Sequence, residues 1–418
     1  MHRLFGLNLE NPNDRNAWYL VVEIMWASIL GSAATFNAAF ALRLGATNAQ
    51  VAMLTSIPAL LAVLVSLPSG EFLRRRTNTK PWLLWSLLLY RSSFLIIAAL
   101  PWLRLSKELL GPLVISVIIG FTSLAHFWNI GFIPWFSELI PERNRASVFA
   151  ARNISYNATL SLFGFLFGLW LERAAFPGNY QAMYAFGFAC SLMSMHYLVK
   201  IRAPKVDRPG SADTPTAWSM VNRWKALRQV VKDHSGFVRI TLNTVLHGIG
   251  VWAVAPLYIL FFVRELGAKE TWLGLNGTVS TLFTLLGFTL WRWLVQRWGE
   301  PVTLKRTIIL VGLYPILVGL VHSLPAILIL SALNGLLVPG VNMSHFNTLL
   351  KVTPESNRPG YTAAYVFIAN IGIFIFPLVG VTLANQIGLV PMLISGGLLS
   401  VIGSASFILW PVQPPAVK

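Results

Sequence analysis

Acidic residues are scarce in this 418-residue chain, with 15 Asp and Glu against 32 Lys and Arg. Charged residues of both signs make up only 11%, where a soluble domain carries roughly 25%. A water-soluble protein of this length lacks the polar surface to cover its core at that composition. Cysteine occurs once, at Cys190, which excludes an intrachain disulfide and any cysteine-based metal cluster. No glycine-rich phosphate loop is present, so direct ATP drive is not expected. The first residues, MHRLFGLNLENPNDRNAW, lack a short apolar core with a cleavage site, so no removable leader is expected.

What is abundant is apolar sequence, 55% of the chain, with a mean hydropathy of +0.64. It comes in blocks near the roughly 20 residues that a helix needs to cross about 30 Å of hydrocarbon. Twelve such segments are expected, at 18–42, 49–73, 81–101, 111–137, 147–171, 180–200, 237–263, 272–296, 305–323, 326–350, 360–384 and 388–411. The fold class is therefore all-α and integral to a membrane. The net charge of +17 does not indicate nucleic acid, because the basic residues sit in short links rather than on one face or in a tail.

Alternate links hold most of the positive charge, including Arg74, Arg75, Arg76 and Lys80, then Arg143, Arg145 and Arg152, then Arg292, Arg297, Lys305 and Arg306. Lys and Arg stay on the cytoplasmic side, so both termini are expected there, in a multi-pass protein of the cell membrane. The one long link, 201–236, divides the segments six and six. Within it Ala217, Val221, Trp224, Leu227 and Val231 recur at helical spacing between basic residues, as in a helix lying on the inner membrane surface. The domains expected are thus 1–200, the linker 201–236, and 237–418.

The two halves repeat. A shift of 213 residues, from 141 to 354, lays Pro141, Glu142, Asn144, Arg145, Ala150, Ala151 and Asn157 on Pro354, Glu355, Asn357, Arg358, Ala363, Ala364 and Asn370. Leu44, Gly45 and Ala46 match Leu266, Gly267 and Ala268, while Leu73 and Arg76 match Leu294 and Arg297. Six spans repeated in parallel are the internal symmetry of a two-bundle transporter.

On these residues the chain resembles the major facilitator superfamily, along nearly its whole length. That family's motif between spans 2 and 3 is degraded here. Gly70 and Arg75 fit it, but Arg74 stands at the Asp position and Thr77 at the second Gly. The second-half copy keeps Arg297 and Gly299, with Gln296 at the acidic position. The resemblance implies two pseudo-symmetric six-helix bundles and a secondary active transporter that moves a small organic solute by alternating access. It implies no enzyme activity and no cofactor. The partners expected are a small-molecule substrate and the lipid bilayer, with protons as a candidate coupling ion, no nucleic acid and a monomeric chain. A non-transporting assembly or sensor protein on the same scaffold is the alternative reading. The polar turns around Glu142, Arg145, Glu355 and Arg358, with Arg75 and Arg297, become the candidate cytoplasmic gate or topology residues.

Spans 1, 4, 7 and 10 line the central cavity in that family, and each has polar residues here. Glu23 is the one acid well inside a segment, on a stripe with Ala27, Gly31, Ala34 and Ala38. Ionisable groups at such depth face protein or water, so Glu23 is a candidate for a proton, for a cationic substrate, or for a pair with an arginine. Segment 4 offers His126 and Asn129, segment 7 Asn243 and His247, and segment 10 Asn334, Asn342 and His345. Interhelical hydrogen bonding is the alternative for each. No two of the histidines share ligand spacing, so no metal site is expected. Arg91, midway along segment 3, is expected to pair with an acid or with exposed carbonyls. A central arginine pair of the kind that would hold nitrate or an organic phosphate is not expected.

Overall fold

The computed structural model describes residues 3–4, 7–8, 11–103, 105–202, 235–353 and 358–412. Among these, twelve helices are long and apolar enough to cross a membrane. They are α1 (Asp14–Arg43), α2 (Asn48–Leu73), α3 (Lys80–Leu103), α4 (Glu108–Leu139), α5 (Glu142–Arg173) and α6 (Gly178–Lys200), then α7 (Ser235–Glu265), α8 (Glu270–Trp298), α9 (Glu300–Leu320), α10 (Leu324–Val352), α11 (Tyr361–Ile387) and α12 (Leu389–Leu409). Even the shortest, at 21 residues, rises roughly 30 Å, enough for the hydrocarbon layer. Ahead of α1, Arg3–Leu4 and Leu7–Asn8 pair as a two-residue antiparallel ladder.

Helix ends run past the apolar blocks into polar sequence. α5 starts at Glu142, five residues before the expected 147, and so absorbs the polar turn. Pro141 is its N-cap, and Glu142 is the acid of its first turn, where the positive end of the helix dipole favours negative charge. Arg145 reaches back to α4, donating from Nε to the Ile140 carbonyl at 3.0 Å and from Nη2 to the Ser137 carbonyl at 2.6 Å. Lys80 does the same for α6, with Nζ 2.6 Å from the Val199 oxygen and 2.7 Å from that of Ile201. The last carbonyls of a helix have no intrahelical partner. These link cations therefore close helix ends. The proposed surface helix at 217–232 and Glu355 lie outside the described residues.

The chain forms two compact units, one of residues 1–54, 61–212 and 269–278, the other of 55–60, 213–268 and 279–418. Inside the first, α1 packs on α6 and α5, and α3 packs on α4 and α6. Inside the second, α7 packs on α12 and α11, and α9 packs on α10 and α12. The four pairings are the same in the two halves, which is the structural form of the sequence repeat. Trp128, Trp135, Phe136 and Leu139 centre the first core; Phe237, Ile240, Ile308 and Phe407 centre the second.

The repeated Leu-Gly-Ala has a backbone cause. Gly45 has φ +96° and Gly267 φ +63°, and both follow the last residues of a span. A side chain in this left-handed region costs roughly 1–2 kcal/mol. Gly45→Ala and Gly267→Ala are each expected to lower apparent stability by about that much, readable as a drop in thermal midpoint. Unchanged midpoints in both variants would remove this explanation of the repeat.

Candidate functional site

Glu23 lies nine residues into α1 and Arg152 ten residues into α5. Both helices are odd-numbered spans and run the same way, so at about 1.5 Å per residue the two side chains sit near the same depth. The stripe of Ala27, Gly31 and Ala34 lets α5 approach, and the Gly31 position faces Tyr156 and Leu160 of α5. Across that seam Arg152 Nη2 donates to Glu23 Oε1 at 2.7 Å. The glutamate side chain is 1% exposed and the arginine 15%.

Two further helices complete the group. Ser194 of α6 donates from Oγ to Glu23 Oε2 at 2.8 Å. Arg91 of α3 donates from Nη2 to Ser194 Oγ at 3.0 Å and from Nη1 to the Ser191 carbonyl at 2.9 Å. The Arg152 guanidinium also stacks on Phe132 of α4, 4.3 Å from the ring centre. All four helices that pack on or beside α1 thus send a side chain to one place.

That place borders a cavity of about 210 Å³ lined by Glu23, Arg91, Arg152, Tyr90, Trp128 and Tyr156, among others. Its polar lining is two guanidiniums, one carboxylate and two phenols; the rest is aromatic or aliphatic. Arg152 Nε, although buried, has no hydrogen-bond partner among the described residues.

The other sequence candidates go elsewhere. His126 is half-buried on α4 and Asn129 is exposed; neither lines this cavity. In the second unit Asn243 is fully buried and donates to the Trp410 carbonyl at the end of α12. His247 Nδ1 lies 2.9 Å from Ser404 Oγ and 3.0 Å from Ser400 Oγ, both on α12. His345 of α10 lies 2.7 Å from Thr244 Oγ1 of α7, its ring 5.5 Å from that of Tyr365. Asn334 is half-buried and Asn342 exposed. Of the gate candidates, Arg75 is exposed and pairs with Glu71 one turn back at 2.7 Å, and Arg297 stacks over Trp293. Arg358 begins the helix that continues as α11. No group of three or more metal-ligating side chains occurs among the described residues.

One expectation changes. Arg152, counted from the sequence with the charges of a cytoplasmic link although it falls inside the expected segment 147–171, lies ten residues into α5 and borders the cavity. Arg91 and Arg152 flank Glu23 within the first unit. A usable signal existed: a lone acid deep in a span demands a cation at matching depth, and Arg152 is the basic residue of span 5 that offers it.

The family model described as Major Facilitator Superfamily matches residues 240–418. Over 157 residues the chain is 29% identical to the multidrug resistance protein MdtG of Escherichia fergusonii, covering 36% of this chain and 38% of that one. Over the same length it is 28% identical to MdtG of Yersinia enterocolitica, covering 36% and 37%. The match thus spans less than two fifths of those relatives. Among solved structures, a point mutant of the nucleoside transporter NupG aligns with a TM-score of 0.72 at 12% identity, covering 94% of this chain and 99% of that one. A bacterial homolog of the human lysosomal transporter Spinster, inward-facing and unoccupied, aligns at 0.63 and 13% identity, covering 96% and 97%. At such identities the likeness is one of fold.

Proposed function

We propose that the chain is a member of the major facilitator superfamily, a transporter rather than an enzyme, and that it moves a small organic solute by alternating access, driven by protons through Glu23. The observation that carries this reading is the buried Glu23–Arg152 pair at the wall of a cavity. A carboxylate 1% exposed depends on the groups around it to offset the loss of water. Here those groups are Arg152 and Tyr156 on α5, Arg91 and Tyr90 on α3, and Ser194 on α6. Protonating Glu23 cancels the charge that holds Arg152 and so loosens α1 from α5. That gives a two-state element biased by a proton, which a coupled carrier needs. The drug or nucleoside chemistry of the similar proteins is not needed for this reading.

The proposal places both termini in the cytoplasm, on the basic links, and treats 201–236 as the linker between the halves. In proteoliposomes, Glu23→Gln is expected to abolish accumulation driven by a pH gradient while solute counterflow persists. Driven accumulation that survives the substitution at wild-type level would refute proton coupling through Glu23.

A further inference from the structure

The ion pair leaves the site unbalanced. With all three groups ionised, Glu23 contributes one negative charge against two positive charges from Arg91 and Arg152, a surplus of one. A surplus charge away from water is costly unless something pairs with it. Arg91 spends two donors on Ser191 and Ser194, neither of which carries charge. Arg152 keeps a buried Nε without a partner, and its guanidinium borders the cavity. The remaining walls include Tyr90, Phe94, Trp128 and Tyr156, which favour a flat apolar body. At about 210 Å³ the space falls below the roughly 300–1,000 Å³ typical of drug-sized pockets.

We propose that this cavity is the binding site of a small organic monoanion, with a carboxylate head on Arg152 and Arg91 and an apolar body of about one ring against the aromatic walls. The inference rests on the transporter reading and names its substrate class. In the empty site Glu23 holds the arginine the ligand needs. A proton on Glu23 frees Arg152, and the incoming carboxylate takes its place, since a planar guanidinium can donate to either carboxylate. Anion and proton therefore bind cooperatively, and each raises the affinity for the other by the same factor. No covalent step is involved.

The sign of the pH dependence follows. The protonated form of Glu23 binds the anion better, so affinity falls as pH rises, by up to about tenfold per pH unit where one proton is linked. The titratable and charged groups facing Glu23 are Arg152 and Tyr156 from α5 and Arg91 and Tyr90 from α3. Of these, Glu23 is the group whose protonation the proposal invokes.

The test is equilibrium binding and thermal stabilisation of the full-length protein in nanodiscs, with benzoate, benzamide and benzylamine as probes of one shape and three charges. Benzoate is expected to bind saturably, benzamide and benzylamine at least tenfold more weakly. Benzoate affinity should fall as pH rises in the wild type. In Glu23→Gln it should be at least as tight at pH 8 and lose its pH dependence. Arg152→Lys, which keeps charge but not the planar fork, should weaken benzoate severalfold, and Arg152→Gln by tenfold or more. The double variant Glu23→Gln with Arg152→Gln supplies a neutral pair should the single Arg152→Gln fail to fold, and it should lose benzoate to the same extent.

Preference for benzamide or benzylamine, benzoate binding indifferent to Arg152, or no binding by any probe would each overturn the assignment. Equal stabilisation by chloride alone would show an adventitious ion only, and overturn it too. Counterflow against a broad solute panel separates this from the parent reading. Uptake of a neutral or cationic solute keeps the transporter and removes the anion. Benzoate binding without uptake of any solute does the reverse.

Discussion

Arg152→Ala is expected to lower the stability of the first unit by about 3–5 kcal/mol, the cost of removing one partner from a buried ion pair. The reason lies in what is left behind. Glu23 would keep only the Ser194 hydroxyl at 2.8 Å, in a place where its side chain is 1% exposed. Phe132 would also lose the guanidinium stacked on it at 4.3 Å, a contact of about 0.5–2 kcal/mol. Changing both partners is milder, because a neutral pair leaves no uncompensated carboxylate. The double variant Glu23→Gln with Arg152→Ala should therefore recover part of the loss, and the thermodynamic cycle should show a coupling of about 1–3 kcal/mol. Thermal or denaturant unfolding of the four proteins in one detergent measures it. A cycle that closes additively would mean that Glu23 and Arg152 do not sense one another, and the charge argument for the cavity would go with it.

The spans themselves were legible because hydrophobic length is a direct consequence of the bilayer, and each of the twelve apolar segments corresponds to a helix. Their ends were less so. A helix stops where its backbone runs out of hydrogen-bonding opportunities, not where its side chains turn polar, and α5 therefore begins at Glu142. That shift puts Arg152 ten residues into the helix rather than five. Glu23 stood out because a lone acid in a span is costly. Its partners on α3, α5 and α6 could not be named, since spacing within one helix says nothing about which face of another it meets. The polar residues of α7 show the same ambiguity. Asn243 and His247 looked suited to a wet cavity, yet they bond the Trp410 carbonyl and the serines at 400 and 404. Ser400 and Ser404, one turn apart on α12, were the available hint that an interhelical partner existed.

Those same α7–α12 contacts set the other large effect, Gly250→Ala. A methyl group at Gly250 would run into the Gly396 carbonyl oxygen and lie 2.5 Å from the Ser400 nitrogen, both backbone atoms of α12. The approach is reciprocal, since a methyl at Gly403 would run into the Leu246 carbonyl oxygen. Small residues let membrane helices reach backbone contact, and van der Waals packing then holds them without a hydrophobic drive. One methyl cannot be accommodated by a rotamer change here, so the helices must separate, and His247 moves off Ser404 as they do. Overpacking of this kind costs about 1–3 kcal/mol and occasionally more. With backbone on the opposing side, Gly250→Ala is expected at the upper end, about 3 kcal/mol. Gly120→Ala is the matched control, because a methyl there meets nothing within 4 Å, and it should be neutral or gain up to about 1 kcal/mol from helix propensity. Size-exclusion monodispersity and thermal midpoint of the two variants decide the matter. Equal behaviour would show that α7 and α12 are not in backbone contact, and that His247 is free to face a cavity after all.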